Sequence, residues 1–263
     1  MNIIKREFMA NLKSLLLWTI PLMVLHAVAS IEFSAFAGDP AIAEAMENFE
    51  ILFQALGTNV ADMTKPEGFI SIVSIYIYLP LAIFSGLIGS GIISKEEKDK
   101  TAEYLFSLPV KRNKVIASKM VVAVVNSFLV NVFVIAAVYF TYVRFDVSEG
   151  YFQFLFNMSV GVFLIQMIFL GLGMVLSAVL KQYKKSGSIT VGILMSTFML
   201  SILIGMVDGK LDFLKVITPF QYFPSDKMLL GDFSVLYIII ALIITIGTFA
   251  STFYFYKKRD LYI

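Results

Sequence analysis

The sequence holds few side chains able to do covalent or acid–base chemistry. It has one histidine, His26, and no cysteine. Disulfides, thiol catalysis, thiolate metal sites and multi-histidine metal sites are therefore excluded. The adjacent carboxylates Glu96 and Glu97 have the types needed for acid–base work. Hydrolysis at such a pair would need histidines as bases or metal ligands, and His26 falls at the far side of the apolar segments. No G-x-x-x-x-G-K-[ST] stretch occurs, so the chain has no such loop to cradle nucleotide phosphates. What remains is a set of polar residues inside apolar runs: His26, Asn126, Asn131, Asn157 and Gln166. These suit hydrogen bonding between helices, or the lining of a pathway.

The elements carrying these residues follow from composition. Of 263 residues, 59% are hydrophobic and 15% charged. A soluble domain has about 45–50% apolar and about 25% charged residues. The net charge of +2 suggests no nucleic-acid partner. A helix crossing the roughly 30 Å hydrocarbon layer needs about 20 apolar residues. Six uncharged runs are long enough: Ser14–Ile31, Gly68–Ser94, Met120–Val143, Gly150–Leu180, Ser186–Val207 and Phe233–Tyr256. They are continuous rather than alternating, which argues for helices and against barrel strands. The expected fold is all-α, a polytopic membrane protein with six transmembrane helices. The first run reads as a retained helix, because Glu32-Phe33-Ser34 is a poor signal-cleavage site.

Lys and Arg favour the cytoplasmic side of short loops. The amino end carries three, the second loop seven, the fourth loop three and the carboxyl end three, sixteen of the 21 in all. The first, third and fifth loops carry one, one and three. Both termini are thus expected in the cytoplasm, and the location is a bacterial cell membrane, crossed several times.

The chain then divides as one transmembrane domain, 1–263. Residues 1–13 read as an amphipathic, interfacial elbow helix, with Ile4, Phe8 and Leu12 apolar among Lys5, Arg6 and Lys13. The first span is 14–37. An extracellular loop at 38–67 holds a helix at 40–57, with Asp39 as N-cap, Pro40 at its first position and Gly57 at its stop. Spans follow at 68–94, 114–143, 150–180, 186–207 and 233–256, and 95–113 forms a cytoplasmic loop. Pro219 and Pro224 break segment 208–232, so short re-entrant or interfacial helices are expected there. The six uncharged runs carry no Asp, Glu, Lys or Arg in their interiors. Glycines at 86, 89, 91, 171 and 173, with Ser85, Ser90 and Ser177, permit close helix approach.

The loop at 95–113 is the most informative. Ser94 with Glu97 reads as a capping box. After a charged run, Thr101 heads a short helix with apolar Ala102, Leu105, Phe106 and Leu108, stopped by Pro109. Two turns of helix are unstable alone in water and must dock on something. The ordered set Glu96, Glu97, Thr101, Glu103, Tyr104, Leu105, Leu108, Pro109 and Arg112 resembles the loop between the second and third helices of ABC-2 type permeases. There Gly often precedes the Thr; here it is Lys100. Lys5-Arg6-Glu7-Phe8, Thr218-Pro219-Phe220-Gln221-Tyr222-Phe223 and Lys258-Arg259-Asp260-Leu261 resemble other parts of that family, so the likeness spans nearly the whole chain.

The resemblance implies a permease subunit of an ATP-binding cassette exporter. The short helix would be a coupling helix seated in a groove of a separate ATPase (nucleotide-binding) subunit, and its contact residues would be the nine just named. It implies a second permease copy or a sister permease, contact with membrane lipid, and no catalytic residue in this chain. No cofactor would bind directly; ATP and Mg would act through the partner. An ion-coupled secondary transporter is the first alternative, weakened by the uncharged spans. A non-transporting membrane sensor or assembly subunit is the second.

Overall fold

The computed structural model describes residues 3–37, 64–98, 110–180, 182–207 and 210–258, without the side chains of 36, 97, 98, 183 and 184. The expected helix at 40–57 lies outside them, and so does Thr101–Pro109 of the coupling loop. In a bilayer, backbone groups find no water, so a continuous apolar run satisfies them by forming a helix. Among the described residues there are eight α-helices: α1 (Ile3–Phe36), α2 (Pro66–Ile72), α3 (Ile75–Lys98), α4 (Arg112–Tyr142), α5 (Tyr151–Val179), α6 (Tyr183–Met206), α7 (Ser225–Leu230) and α8 (Val235–Lys258). Two 3-10 turns, Asp212–Ile217 and Pro219–Gln221, link α6 to α7. Six helices (α1, α3, α4, α5, α6 and α8) are long and apolar enough to span a membrane, and no strand occurs among the described residues.

Three boundaries differ from those read in the sequence. First, α1 runs unbroken through Lys13-Ser14 for 34 residues, about 51 Å at 1.5 Å per residue. No elbow separates from the span, because residues 3–16 keep helical hydrogen bonding and bury Glu7 and Leu15 against their neighbours. Second, the run 68–94 is two helices. The chain breaks at Val73-Ser74, where the Ser71 and Ser74 hydroxyls each donate to Ser225 Oγ, at 3.0 and 3.2 Å. Ser225 Oγ donates in turn to the Ser71 carbonyl, 2.9 Å. These bonds fasten the break to α7. Third, α3 continues past Ser94 to Lys98. Ser94 is therefore not a cap; its hydroxyl donates back to the Ser90 carbonyl, 2.9 Å.

α3 and α5 form the centre, 72% and 67% buried over their apolar windows, whereas α6 and α8 are 22% and 11% buried. Small residues bring the central pair together. A Cβ on Gly173 would stand 2.4 Å from the Gly86 carbonyl oxygen, and one on Gly89 would stand 2.3 Å from that of Leu170. The two backbones therefore touch, as small-residue membrane interfaces allow. α1 packs mainly on α4, and α8 on α5.

Segment 219–228 descends beside α5. Phe223 rests over Gly161, where a Cβ would meet the Phe223 Cβ at 2.8 Å. The Phe220 ring packs on Phe169, centroids 5.5 Å apart. Gly161 lies about 15 Å along α5 from Tyr151, so this broken backbone sits alongside the spans. Side chains cover its polar groups. Gln221 Nε2 donates to the Ser201 carbonyl, 2.9 Å, and Asn157 Nδ2 to that of Met228, 3.1 Å. The Tyr222 hydroxyl donates to the Val216 carbonyl.

Candidate functional site

The end of the bundle where α1 begins and α8 ends is the basic end. There α3 and α4 flank residues 99–111, and a chain of charges ties them together. Lys119 lies two turns inside α4 and is 1% exposed. Its Nζ donates to Glu96 Oε2 and to the Ile92 carbonyl, both at 2.5 Å. Glu96 is itself buried. Next to it on α3, Lys95 points another way, because successive helical residues are about 100° apart, and its Nζ meets Glu7 Oε2 of α1 at 3.4 Å. Glu7 is 3% exposed. Three helices are thus clasped by two consecutive residues of α3.

A buried ion pair is a weak source of net stability but a strong constraint on geometry, since breaking it strands a charge in low dielectric. The Glu96–Lys119 pair holds the last turn of α3 at a set height on α4. Sequence reasoning counted Lys119 among the loop charges, although the span read as 114–143 contains it, and missed its pairing. The available signal was its position immediately before the apolar run Met120–Val143, across the same loop from Glu96.

The remaining contact residues divide. Arg112 opens α4 and is exposed. Glu97 lies on the last turn of α3. Thr101, Glu103, Tyr104, Leu105, Leu108 and Pro109 fall outside the described residues. Glu96 is turned inward onto Lys119, so its carboxylate serves the bundle.

The polar residues of the spans are brought together in part. Gln166 of α5 donates through Nε2 to the carbonyls of Ser127 and Leu81, 3.2 and 3.4 Å. It accepts through Oε1 from Asn131 Nδ2, 3.1 Å. Asn131 Nδ2 also donates to the Ser159 carbonyl, 3.0 Å, and Ser159 Oγ donates to Asn131 Oδ1, 2.8 Å. This network joins α3, α4 and α5 and leaves neither amide reaching for a ligand. Asn157 joins α5 to α7, as above. Asn126 bonds its own helix at the Val122 carbonyl, 2.8 Å. His26 stands apart on α1, 1% exposed, with Nε2 unpartnered. Replacing Gln166 with leucine is expected to cost about 0.6–1.7 kcal/mol, the range for hydrogen bonds between membrane helices. Thermal unfolding of the detergent-solubilised protein would measure it.

Among the described residues no group of three or more His, Cys, Asp or Glu is placed to hold a metal ion. At the end opposite the basic one, Glu67 Oε1 accepts from the Ser148 amide and hydroxyl, both 2.7 Å. Burial raises the carboxyl of Asp226 on α7 above its ordinary value.

These features define a multi-pass membrane protein whose polar chemistry is spent on holding helices, without a phosphate-binding loop in its sequence. The chain belongs to a known transporter family: the model described as ABC-2 family transporter protein matches residues 1–261. Members of that family are membrane subunits, ordinarily without enzymatic activity, that typically pair with an ATPase subunit. No curated protein matches the sequence.

Proposed function

We propose that this chain forms the pathway half of an ATP-driven exporter and is driven through residues 99–111 by a separate ATPase subunit. The observation that carries the reading is the clasp at the basic end. The two helices leading into and out of that segment are locked to each other by Glu96–Lys119, and to α1 by Lys95–Glu7. A loop that must pass on a push needs such a footing. ATP would favour one arrangement of the partner, and the docked segment would differ in energy between two arrangements of the helices. In this reading the basic end faces the cytosol, Thr101–Arg112 contacts the ATPase, and Glu96 serves as an internal anchor. ATP and Mg stay with the partner, and a second copy or a sister permease completes the pathway.

The test is copurification. Leu105→Asp, or deletion of Thr101–Leu108, is expected to abolish association with the ATPase while membrane insertion continues. Unchanged copurification after both changes would remove the reading. Labelling of Lys98 or Lys111 from the outside of intact cells would overturn the orientation.

A further inference from the structure

The outer face of α1 carries two cations in line with an exposed apolar stripe. Arg6, Met9, Lys13, Leu17, Ile20 and Val24 follow one another at three- and four-residue spacing, which places them on one side of the helix. All six are exposed. The other side of α1, with Glu7, Leu15, Leu22 and His26, is buried and packs mainly on α4. The stripe therefore faces the surrounding lipid, and its two charges stand at the basic end.

Depth sets these charges on either side of the headgroup boundary. Arg144 Nη2 donates to Ser30 Oγ, 3.0 Å, which ties α1 to the loop after α4 at the opposite end. Counted from Ser30 along the helix, Lys13 lies about 26 Å away and Arg6 about 36 Å. The hydrocarbon layer is about 30 Å thick, and each headgroup layer adds roughly 5–7 Å. The long Lys13 stem carries its ammonium outward along apolar surface, toward the level of Arg6. No carboxylate offsets the pair. Glu7, between them in sequence, is turned inward onto Lys95, and Glu96 onto Lys119. Among the described side chains of the basic end, every exposed charge is a Lys or Arg. The opposite end mixes signs, with Glu32, Asp146 and Glu149 exposed beside Lys65 and Arg144.

We propose that this face of α1 holds an anionic phospholipid: Arg6 and Lys13 bracket its phosphate, and an acyl chain lies along Leu17, Ile20 and Val24. A guanidinium meets phosphate oxygens through two parallel donors, and anionic headgroups are drawn to Lys and Arg at the membrane surface. Phosphatidylcholine shares the phosphate, but its ammonium would meet no exposed carboxylate among the described side chains of this end. The inference needs only the membrane-spanning fold and stands without the transport reading.

The experiment uses the full chain in phosphatidylcholine nanodiscs. A trace of phosphatidylglycerol with a diazirine in one acyl chain is photolysed, and adducts are mapped by mass spectrometry. The same probe with a choline headgroup is the reference. Phosphatidylglycerol adducts are expected to concentrate on residues 17–24 and to exceed the reference there. Arg6→Gln and Lys13→Gln should each lower them about fivefold, the factor for one cation near the surface, with reference adducts and thermal midpoint unchanged. Lys257→Gln/Lys258→Gln, at the same end on α8, should leave the labelling of α1 as it is. Equal labelling by the two probes, or no loss in either α1 variant, would overturn the proposal. So would an equal loss from the α8 variant, which would mark a diffuse surface potential, or a parallel loss of both probes, which would mark an altered helix surface.

Discussion

Lys119→Met is expected to lower stability by about 3–5 kcal/mol, the cost of breaking a buried ion pair from one side. The substitution keeps most of the apolar stem and deletes the charge. Glu96 would then hold a buried carboxylate without the ammonium that meets it at 2.5 Å, and the Ile92 carbonyl would lose its extra donor. Removing both charges together should be far milder, because no charge is stranded. The Glu96→Gln/Lys119→Met double variant is therefore expected to recover most of the lost thermal midpoint in detergent. Its association with the ATPase should survive, while ATP turnover responds less to transport, since the anchor has softened and the docking residues are intact. Lys95→Met offers a contrast. Its pair with Glu7 is longer, at 3.4 Å, and the Lys95 side chain is 28% exposed, so water reaches one side of the pair and the loss should be smaller, although Glu7 is itself buried. Equal midpoints for Lys119→Met and Lys95→Met would show that burial does not govern this clasp.

The six spans were legible because bilayer physics writes them in one dimension: length and absence of charge suffice. The same method hid Lys119. Ending a run at the first charge assumes that a charge marks the membrane edge, whereas α4 begins at Arg112 and takes Lys119 inside with a partner supplied by α3. A pairing across a loop has no periodicity to reveal it. The break at Val73-Ser74 was hidden for a related reason. The residue that fastens it is Ser225, distant in sequence and brought near by the fold. The α1 boundary failed differently. Lys5, Arg6 and Lys13 have the pattern of an interfacial helix, yet they are exposed on a helix that continues unbroken into the span, and amphipathicity alone does not say where a helix ends. Polar residue types were legible, but their partners were not: Asn131 and Gln166 meet across helices, whereas Asn126 turns back on its own.

Gly173→Val is expected to have the other large effect, by forcing α3 and α5 apart. The atoms a Cβ would strike are the Gly86 carbonyl oxygen at 2.4 Å and the Ser90 amide nitrogen at 2.9 Å. Both are backbone, so no rotamer change relieves the clash, and a valine adds two methyls beyond that Cβ. Overpacking a tight core typically costs about 1–3 kcal/mol, occasionally more, and here relief requires separation of the most buried pair in the bundle. Separation would also stretch the bond from Gln166 to the Leu81 carbonyl, already 3.4 Å, and so weaken the network joining α3, α4 and α5. Folded protein recovered in detergent should fall sharply. Gly247→Ala on α8 is the matched control, since a Cβ there meets nothing within 4 Å; alanine should be neutral or slightly stabilising by helix propensity. Glycine at 173 is needed because a neighbouring backbone occupies the space of its side chain. Equal recovery of the two variants would mean that α3 and α5 do not touch where these residues place them. A rigid α3–α5 pair also bears on coupling: α3 ends at the Glu96 anchor and begins beside Ser74 and Tyr78, so a displacement at the basic end reaches the opposite end only if the pair moves as one body.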